Sequence, residues 1–246
     1  MIEKTRLVEF TNANGERLAA RLELPAGEPL ACALFAHCFT CSKDFMAASR
    51  ISRELRGAGL AVLRFDFTGL GNSEGDFANT DLSSNVADLL AAEAFLREEL
   101  GAPELLVGHS LGGAAVLVAA ERLPDVRAVA MIGAPSSPEH VRRLIVGDLD
   151  EIETTGEARV EIGGRAFRIR KEFLDDLGRH DLEHRVGSME AALLVFHAPE
   201  DSVVAIEHAE TLFETAAFPK SFVALEGADH LLTGREDAAF VASVLA

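Results

Sequence analysis

The chain has 246 residues, 48% of them hydrophobic, with 15 Phe and neither Trp nor Tyr. That is enough for one large α/β domain with a substantial core. The formal charge of −17 repels phosphate backbones and anionic lipid, which argues against nucleic acid or membrane as partners. Met1 to Phe10 mixes apolar and charged residues, so no signal peptide is expected there. No apolar run approaches a membrane span. Cys32, Cys38 and Cys41 are odd in number and close together. They read as a poor disulfide framework and favour a reducing, cytoplasmic setting.

Arg6 to Thr11 and Arg17 to Leu24 are predicted strands around an Asn14-Gly15 turn, an antiparallel hairpin. Ala31 to Ala36 is a short apolar strand ending at His37-Cys38-Phe39-Thr40. A helix is predicted over Phe45 to Arg56, stopped by Gly57 and Gly59, and a strand over Leu60 to Phe65. Asp66 to Gly75 is a glycine-rich loop. It lacks G-x-G-x-x-G spacing and no helix opens directly after it, so it reads as a tight loop, not a dinucleotide site.

Leu82 to Leu100 carries apolar residues at helical spacing. Leu105-Leu106-Val107 reads as a buried strand, and Gly108-His109-Ser110-Leu111-Gly112 fits G-x-S-x-G ahead of an apolar helix. Strand, glycine-flanked serine and helix make the context of a nucleophile elbow. The sharp turn needs small neighbours, supplied by Gly108 and Gly112. The serine then stands at a helix N-terminus, where free N–H groups favour developing negative charge.

Further strands are predicted over Val126 to Ile132, Ala191 to Phe196 and Phe222 to Leu225, with helices over Ile206 to Phe213 and Glu236 to Leu245. Apolar strands alternating with helices imply a mostly parallel sheet covered on both faces. The stretch 136–189 is too long for a simple crossover. An amphipathic helix is predicted through Val141, Leu144, Ile145 and Leu149. A hairpin is predicted at Gly163-Gly164, with Val160, Phe167 and Ile169 on one face and Arg159, Glu161, Arg168 and Arg170 on the other. The stretch reads as a cap over a site mouth; a remote surface insertion is the alternative.

A serine hydroxyl needs a base, and the base needs an orienting acid. Chain order Ser, Asp, His, each in a loop after a strand, selects Ser110 as nucleophile, Asp201 as acid and His230 as base. Glu200 and Asp229 are weaker choices for the acid. Backbone N–H groups of Leu111 and Phe39 are the expected oxyanion donors.

With these motifs in order, the chain resembles an α/β-hydrolase fold serine hydrolase from Arg6 to its C-terminus. The run comprises H-C-F-T, D-F-T-G-L-G-N-S-E-G, G-H-S-L-G-G, P-E-D-S-V-V and G-A-D-H. The H-x-F-T loop and the hairpin look closest to the cinnamoyl/feruloyl esterase-like branch. H-C-F-T-C-S-K-D is also similar to hydrolase domains fused to an OsmC-like domain, although no second domain is expected after the last predicted helix. The resemblance implies one hydrolase domain over 1–246, no cofactor, and a small-molecule ester as substrate. A thioester is second choice and an amide or peptide third. His37-Cys38 stands where the family usually has His-Gly; a positive φ there would strain the cysteine.

Other readings compete. Cys38-Phe39-Thr40-Cys41 is C-x-x-C, a thiol redox pattern or two small residues lining a loop. His180 to His184 matches H-x-x-E-H, a zinc pattern, but Gly178 weakens the helix and a solvated stretch is expected, with no metal. His37, His109 and His197 read as hydrogen-bonded packing residues near the mouth. Arg165, Arg168, Arg170 and Lys171 make the cap locally basic, and holding an anionic substrate is one expectation. A hydrolase-fold binding protein is the non-enzyme alternative, opposed by the intact Ser110, Asp201 and His230.

Overall fold

A computed structural model describes residues 4–147, 149–162 and 165–246. The predicted turn at Gly163-Gly164 lies outside the described residues. The first hairpin is β1 (Lys4–Thr11) and β2 (Arg17–Leu24). Then come β3 (Ala31–Ala36), α1 (Met46–Gly57), β4 (Leu60–Phe65), α2 (Leu82–Glu99), β5 (Pro103–His109), α3 (Leu111–Ala120) and β6 (Ala128–Ile132). The chain closes with β9 (Ala192–His197), α7 (Ile206–Thr215), β10 (Lys220–Ala224) and α8 (Arg235–Leu245). Between β6 and β9 lie a 3₁₀ turn (Pro138–Leu144), α4 (Leu149–Thr155), the strands β7 (Glu157–Ile162) and β8 (Arg165–Arg170), α5 (Lys171–Leu177) and α6 (Leu182–Ser188).

The main sheet has 8 strands in the order β1-β2-β4-β3-β5-β6-β9-β10. Pairing is antiparallel only at β1–β2 and β2–β4. From β4 across to β10 every neighbour is parallel. The central strands are apolar throughout because both faces are covered. On β3, Ala33 and Phe35 face the α1 and α8 layer, and Leu34 and Ala36 face the layer of α2, α3 and α7. The parallel register sets Ala36 beside Gly108, His109 beside Ile132, and His197 beside Ala224. The loops leaving β3, β5, β6, β9 and β10 therefore rise from one edge, the usual location of sites in such sheets.

One expectation changes in the stretch after β6. The helix expected through Val141 to Leu149 is a 3₁₀ turn that stops at Ile145, whose backbone is extended. Val146 then pairs with Glu161 instead of continuing a helix. The amphipathic spacing is real, since Val141 and Ile145 are buried, but the backbone turns early. The β7–β8 hairpin carries Ala158, Val160 and Ile162 inward, with Val160 opposite Phe167. It leans on the turn at Phe77–Asn79, where the Phe77 and Phe167 ring centroids are 4.7 Å apart.

Candidate active site

Ser110 joins β5 to α3 at φ +54°. Few side-chain-bearing residues occupy that region, and strained backbone concentrates at functional positions. The turn is held because its neighbours leave no room. A Cβ on Gly108 would lie 2.4 Å from the Gly112 carbonyl oxygen, and one on Gly112 would lie 2.4 Å from that of His37. The Ser110 N–H donates to the Ile132 carbonyl at 2.9 Å. Buried on both sides, the serine keeps its hydroxyl aimed at one partner.

That partner is His230, whose Nε2 is 3.1 Å from Ser110 Oγ. The other ring nitrogen, Nδ1, is 2.7 Å from Asp201 Oδ2. Asp201 sits in the loop after β9 and accepts the amides of Val203 and Val204 on Oδ1, at 2.8 and 2.9 Å. Burial pushes its carboxyl upward, but hydrogen bonds from His230, Val204 and Val203 outweigh that and hold it below the usual carboxylate range. With Asp201 ionised, Nδ1 carries the proton and Nε2 is free to accept one from the serine. Gly133, at φ +53°, ends β6 beneath this pair; a Cβ there would stand 3.3 Å from His230 Nδ1 and 3.4 Å from Asp201 Oδ2. Glu200 is exposed, and exposed Asp229 instead takes the Thr233 amide at 2.9 Å. Neither reaches the imidazole.

Leu111 opens α3, and Phe39 lies in the loop after β3. Among the described residues, no hydrogen bond occupies either backbone N–H. Cys38 is not among the described residues with positive φ, so the backbone strain expected of a cysteine at this position is not met. Phe39 stacks on Phe173 with centroids 5.1 Å apart and tilts against Phe77 at 5.3 Å.

The cysteines require a correction. Cys38 and Cys41 form a disulfide, with Cα atoms 5.3 Å apart, and Cys32 alone is free. Residue count and spacing hid a pairing that the loop's turn creates, for the Cys41 N–H donates to the Cys38 carbonyl at 3.0 Å. The spacing argument for a reducing compartment loses its basis. The basic residues of the hairpin also read differently. Arg168 pairs with Asp76 and Glu157, Arg170 with Glu157 and Asn79, and Lys171 with Glu153 and Asp175. Arg165 donates to the Thr40 carbonyl. Arg165, Arg168 and Arg170 thus tie the hairpin to Thr40, Asp76 and Asn79 of the body, while Lys171 pairs within the inserted stretch, so each of the four cations has a partner among the described residues. His180 bonds Asp176 at 3.2 Å from ahead of α6, while His184 lies within that helix, its amide taken by Asp181. The pair does not share a helix as the zinc pattern requires. Among the described residues, no group of three or more His, Cys, Asp or Glu is placed to hold a metal ion.

Two features go beyond the sequence reading: one it missed, and one, the hydrogen-bonded packing expected of His37, His109 and His197, whose partners it did not name. Asp66, fully buried at the end of β4, collects the Lys43 amide, the Lys43 ammonium at 2.6 Å and the Asn72 amide at 2.8 Å. The glycine-rich loop thus braces the loop bearing Phe39. The second feature is a set of three buried histidines, each at the end of a strand and each bonded to a loop carbonyl at 2.7 Å. His37 bonds Cys38, His109 bonds His230, and His197 bonds Val204. Burial pushes all three imidazoles down, His109 to about 3. Kept neutral, each donates one N–H to the loop that carries a site group. The signal was present in F-A-H-C, V-G-H-S and V-F-H-A, but a histidine's partner is not written beside it.

A model of the Alpha/beta hydrolase family matches residues 33–244, and the chain belongs to that family. An esterase domain from a Rhodothermus marinus protein, solved as a crystal structure, is 53% identical over 98% of this chain and 96% of that one, with a TM-score of 0.82. Est1E from Butyrivibrio proteoclasticus, solved with ferulic acid, has a TM-score of 0.85 over 97% of each chain at 20% identity, a likeness of fold. Among curated proteins, the mouse mitochondrial palmitoyl-protein thioesterase ABHD10 is 28% identical over 74% of this chain and 63% of its own length. Human monoglyceride lipase is 34% identical over 47% of this chain and 39% of its own length. The chain therefore spans only part of either. No described helix is long and apolar enough to cross a membrane.

Proposed function

We propose that this chain is a serine hydrolase that cleaves a carboxylic ester of small or medium acyl size through an acyl-enzyme on Ser110. The carrying observation is the line Ser110 Oγ, His230, Asp201, with contacts of 3.1 and 2.7 Å. His230 Nε2 takes the hydroxyl proton as Oγ attacks the carbonyl carbon. Asp201 orients the ring and stabilises the imidazolium. The amides of Leu111 and Phe39 receive the oxyanion, each worth about 3 kcal/mol of barrier. His230 returns the proton to the leaving alkoxide, then activates the water that releases the acid.

The 53% identity to an esterase domain supports the ester reading. The cinnamoyl/feruloyl branch rests on the H-x-F-T loop and the hairpin, and the OsmC-type likeness adds no activity to it. A thioester is the second reading, favoured by the thioesterase relatives. Cleavage of a p-nitrophenyl ester panel beside an acyl-CoA panel, for wild type and Ser110→Ala, tests both. Ester turnover lost in the variant supports the first reading, thioester turnover alone promotes the second, and turnover that survives in Ser110→Ala refutes the serine mechanism.

A further inference from the structure

The Cys38–Cys41 disulfide encloses two residues, and both have work at the site. Phe39 offers the unoccupied amide proposed for the oxyanion, and its ring is clamped between Phe173 and Phe77. Thr40 gives its carbonyl to Arg165 of the hairpin. On one side the loop is fastened by the His37 bond to the Cys38 carbonyl, on the other by Lys43 on Asp66. Between those anchors the disulfide is the one covalent tie. Its sulfurs are not equally reachable: Cys38 is buried and Cys41 only half-buried. Cys32 cannot compete for either. It sits near the far end of β3, about 20 Å away along extended chain, and burial pushes its thiol up.

Resting on the hydrolase reading above, we propose that Cys38–Cys41 is a thiol–disulfide exchange site for dithiol reductants, and that its oxidised state is the one in which the Phe39 amide is set for catalysis. A thiolate of the dithiol attacks Cys41 Sγ, the sulfur–sulfur bond breaks, and Cys38 leaves as a thiolate that takes up a proton. The second thiol of the reductant attacks the mixed disulfide and releases Cys41. Two electrons pass to the loop, which gains two thiols, and the reductant becomes a disulfide. The loop is short, so its closure restrains little of the unfolded chain. What it fixes is local: the direction of one N–H, which must point at a developing charge within tenths of an ångström. Reduction therefore lowers kcat and leaves KM nearly unchanged.

The test measures thiols and turnover together. The wild type, prepared without reductant, is titrated with an aromatic disulfide reagent after denaturation, before and after dithiothreitol treatment. In parallel, p-nitrophenyl butyrate hydrolysis is followed in both states, with Ser110→Ala as control. One thiol rising to three, with kcat falling about tenfold or more and returning on reoxidation with diamide, is the expected result. Cys32→Ser keeps the response, and the Cys38→Ser/Cys41→Ser double variant stays slow and indifferent to dithiol. Three thiols in the untreated, air-exposed protein overturn the proposal. So does a rise to three thiols with kcat unchanged, which leaves a purely structural bridge. Ester turnover that depends on Ser110 but ignores the thiol state sinks the switch alone, while no turnover in either state sinks the hydrolase reading and the rate control with it.

Discussion

Acid should destabilise this fold through His109, and the size of the effect follows from its surroundings. The ring lies between Phe45, stacked at 5.6 Å, and His230 at 5.1 Å. Its Nε2 bonds the His230 carbonyl and its Nδ1 has no partner among the described residues. Burial first, then the charge of His230, pushes it down to about 3 from an ordinary 6.5. A base with a depressed folded pKa stays neutral in the native state while the unfolded chain takes up a proton. Nothing is lost above the unfolded pKa, and stability then falls by about 1.4 kcal/mol for each pH unit down to the folded value. Between pH 7.5 and pH 5.0 the His109 contribution is therefore a loss of about 2 kcal/mol. His109→Gln keeps a donor for the His230 carbonyl and removes the titration. Urea unfolding of both proteins at the two pH values isolates the effect, because His37 and His197 are common to both. The gap between the proteins is expected to move by about 2 kcal/mol in favour of the variant on acidification. Parallel loss of stability in the two would refute the reasoning.

Gly112→Ala puts a Cβ against the Ala36 and His37 carbonyls; overpacking of this kind costs about 1–3 kcal/mol, and ester turnover should fall further than the melting point suggests because the Phe39 loop is what must move. Lys43→Met strands Asp66 in the interior, with an expected loss of about 3–5 kcal/mol by chemical denaturation; a loss under about 1 kcal/mol would mean the pair is solvated. Phe173→Ala empties a buried position beneath Phe39, costing about 3–5 kcal/mol and lowering kcat along with stability. Arg168→Ala with Arg170→Ala removes half-exposed pairs worth about 0–1 kcal/mol each. The ratio of KM for anionic and neutral esters should not change, and a rise for the anionic esters alone would make the hairpin's basic residues a binding surface.

Legibility followed the physics of each feature. The inner strands are read from their apolar runs because both faces of a parallel sheet are buried. β10 is an edge strand with exposed positions, and it begins at Lys220, two residues before the run that marked it. Ser110 is legible because its turn admits only glycine two residues to either side; Asp201 and His230 are legible because the order of strands and loops is fixed in sequence. The strand order, with β4 between β2 and β3, is not written locally. Neither are contacts closed by tertiary structure: Asp66 under Lys43, the carbonyls met by His37, His109 and His197, or the turn that joins Cys38 to Cys41. α5 and α6 have 7 residues each, too short for periodicity to separate them from loop.

The central claim is that Ser110 is a nucleophile activated by His230 and Asp201. The most direct measurement is the intact mass of the protein after reaction with a fluorophosphonate, followed by peptide mapping. One adduct per chain is expected, on the peptide containing Ser110, formed at least about a hundredfold more slowly in His230→Ala. No adduct, or an adduct that persists in Ser110→Ala, would contradict the claim.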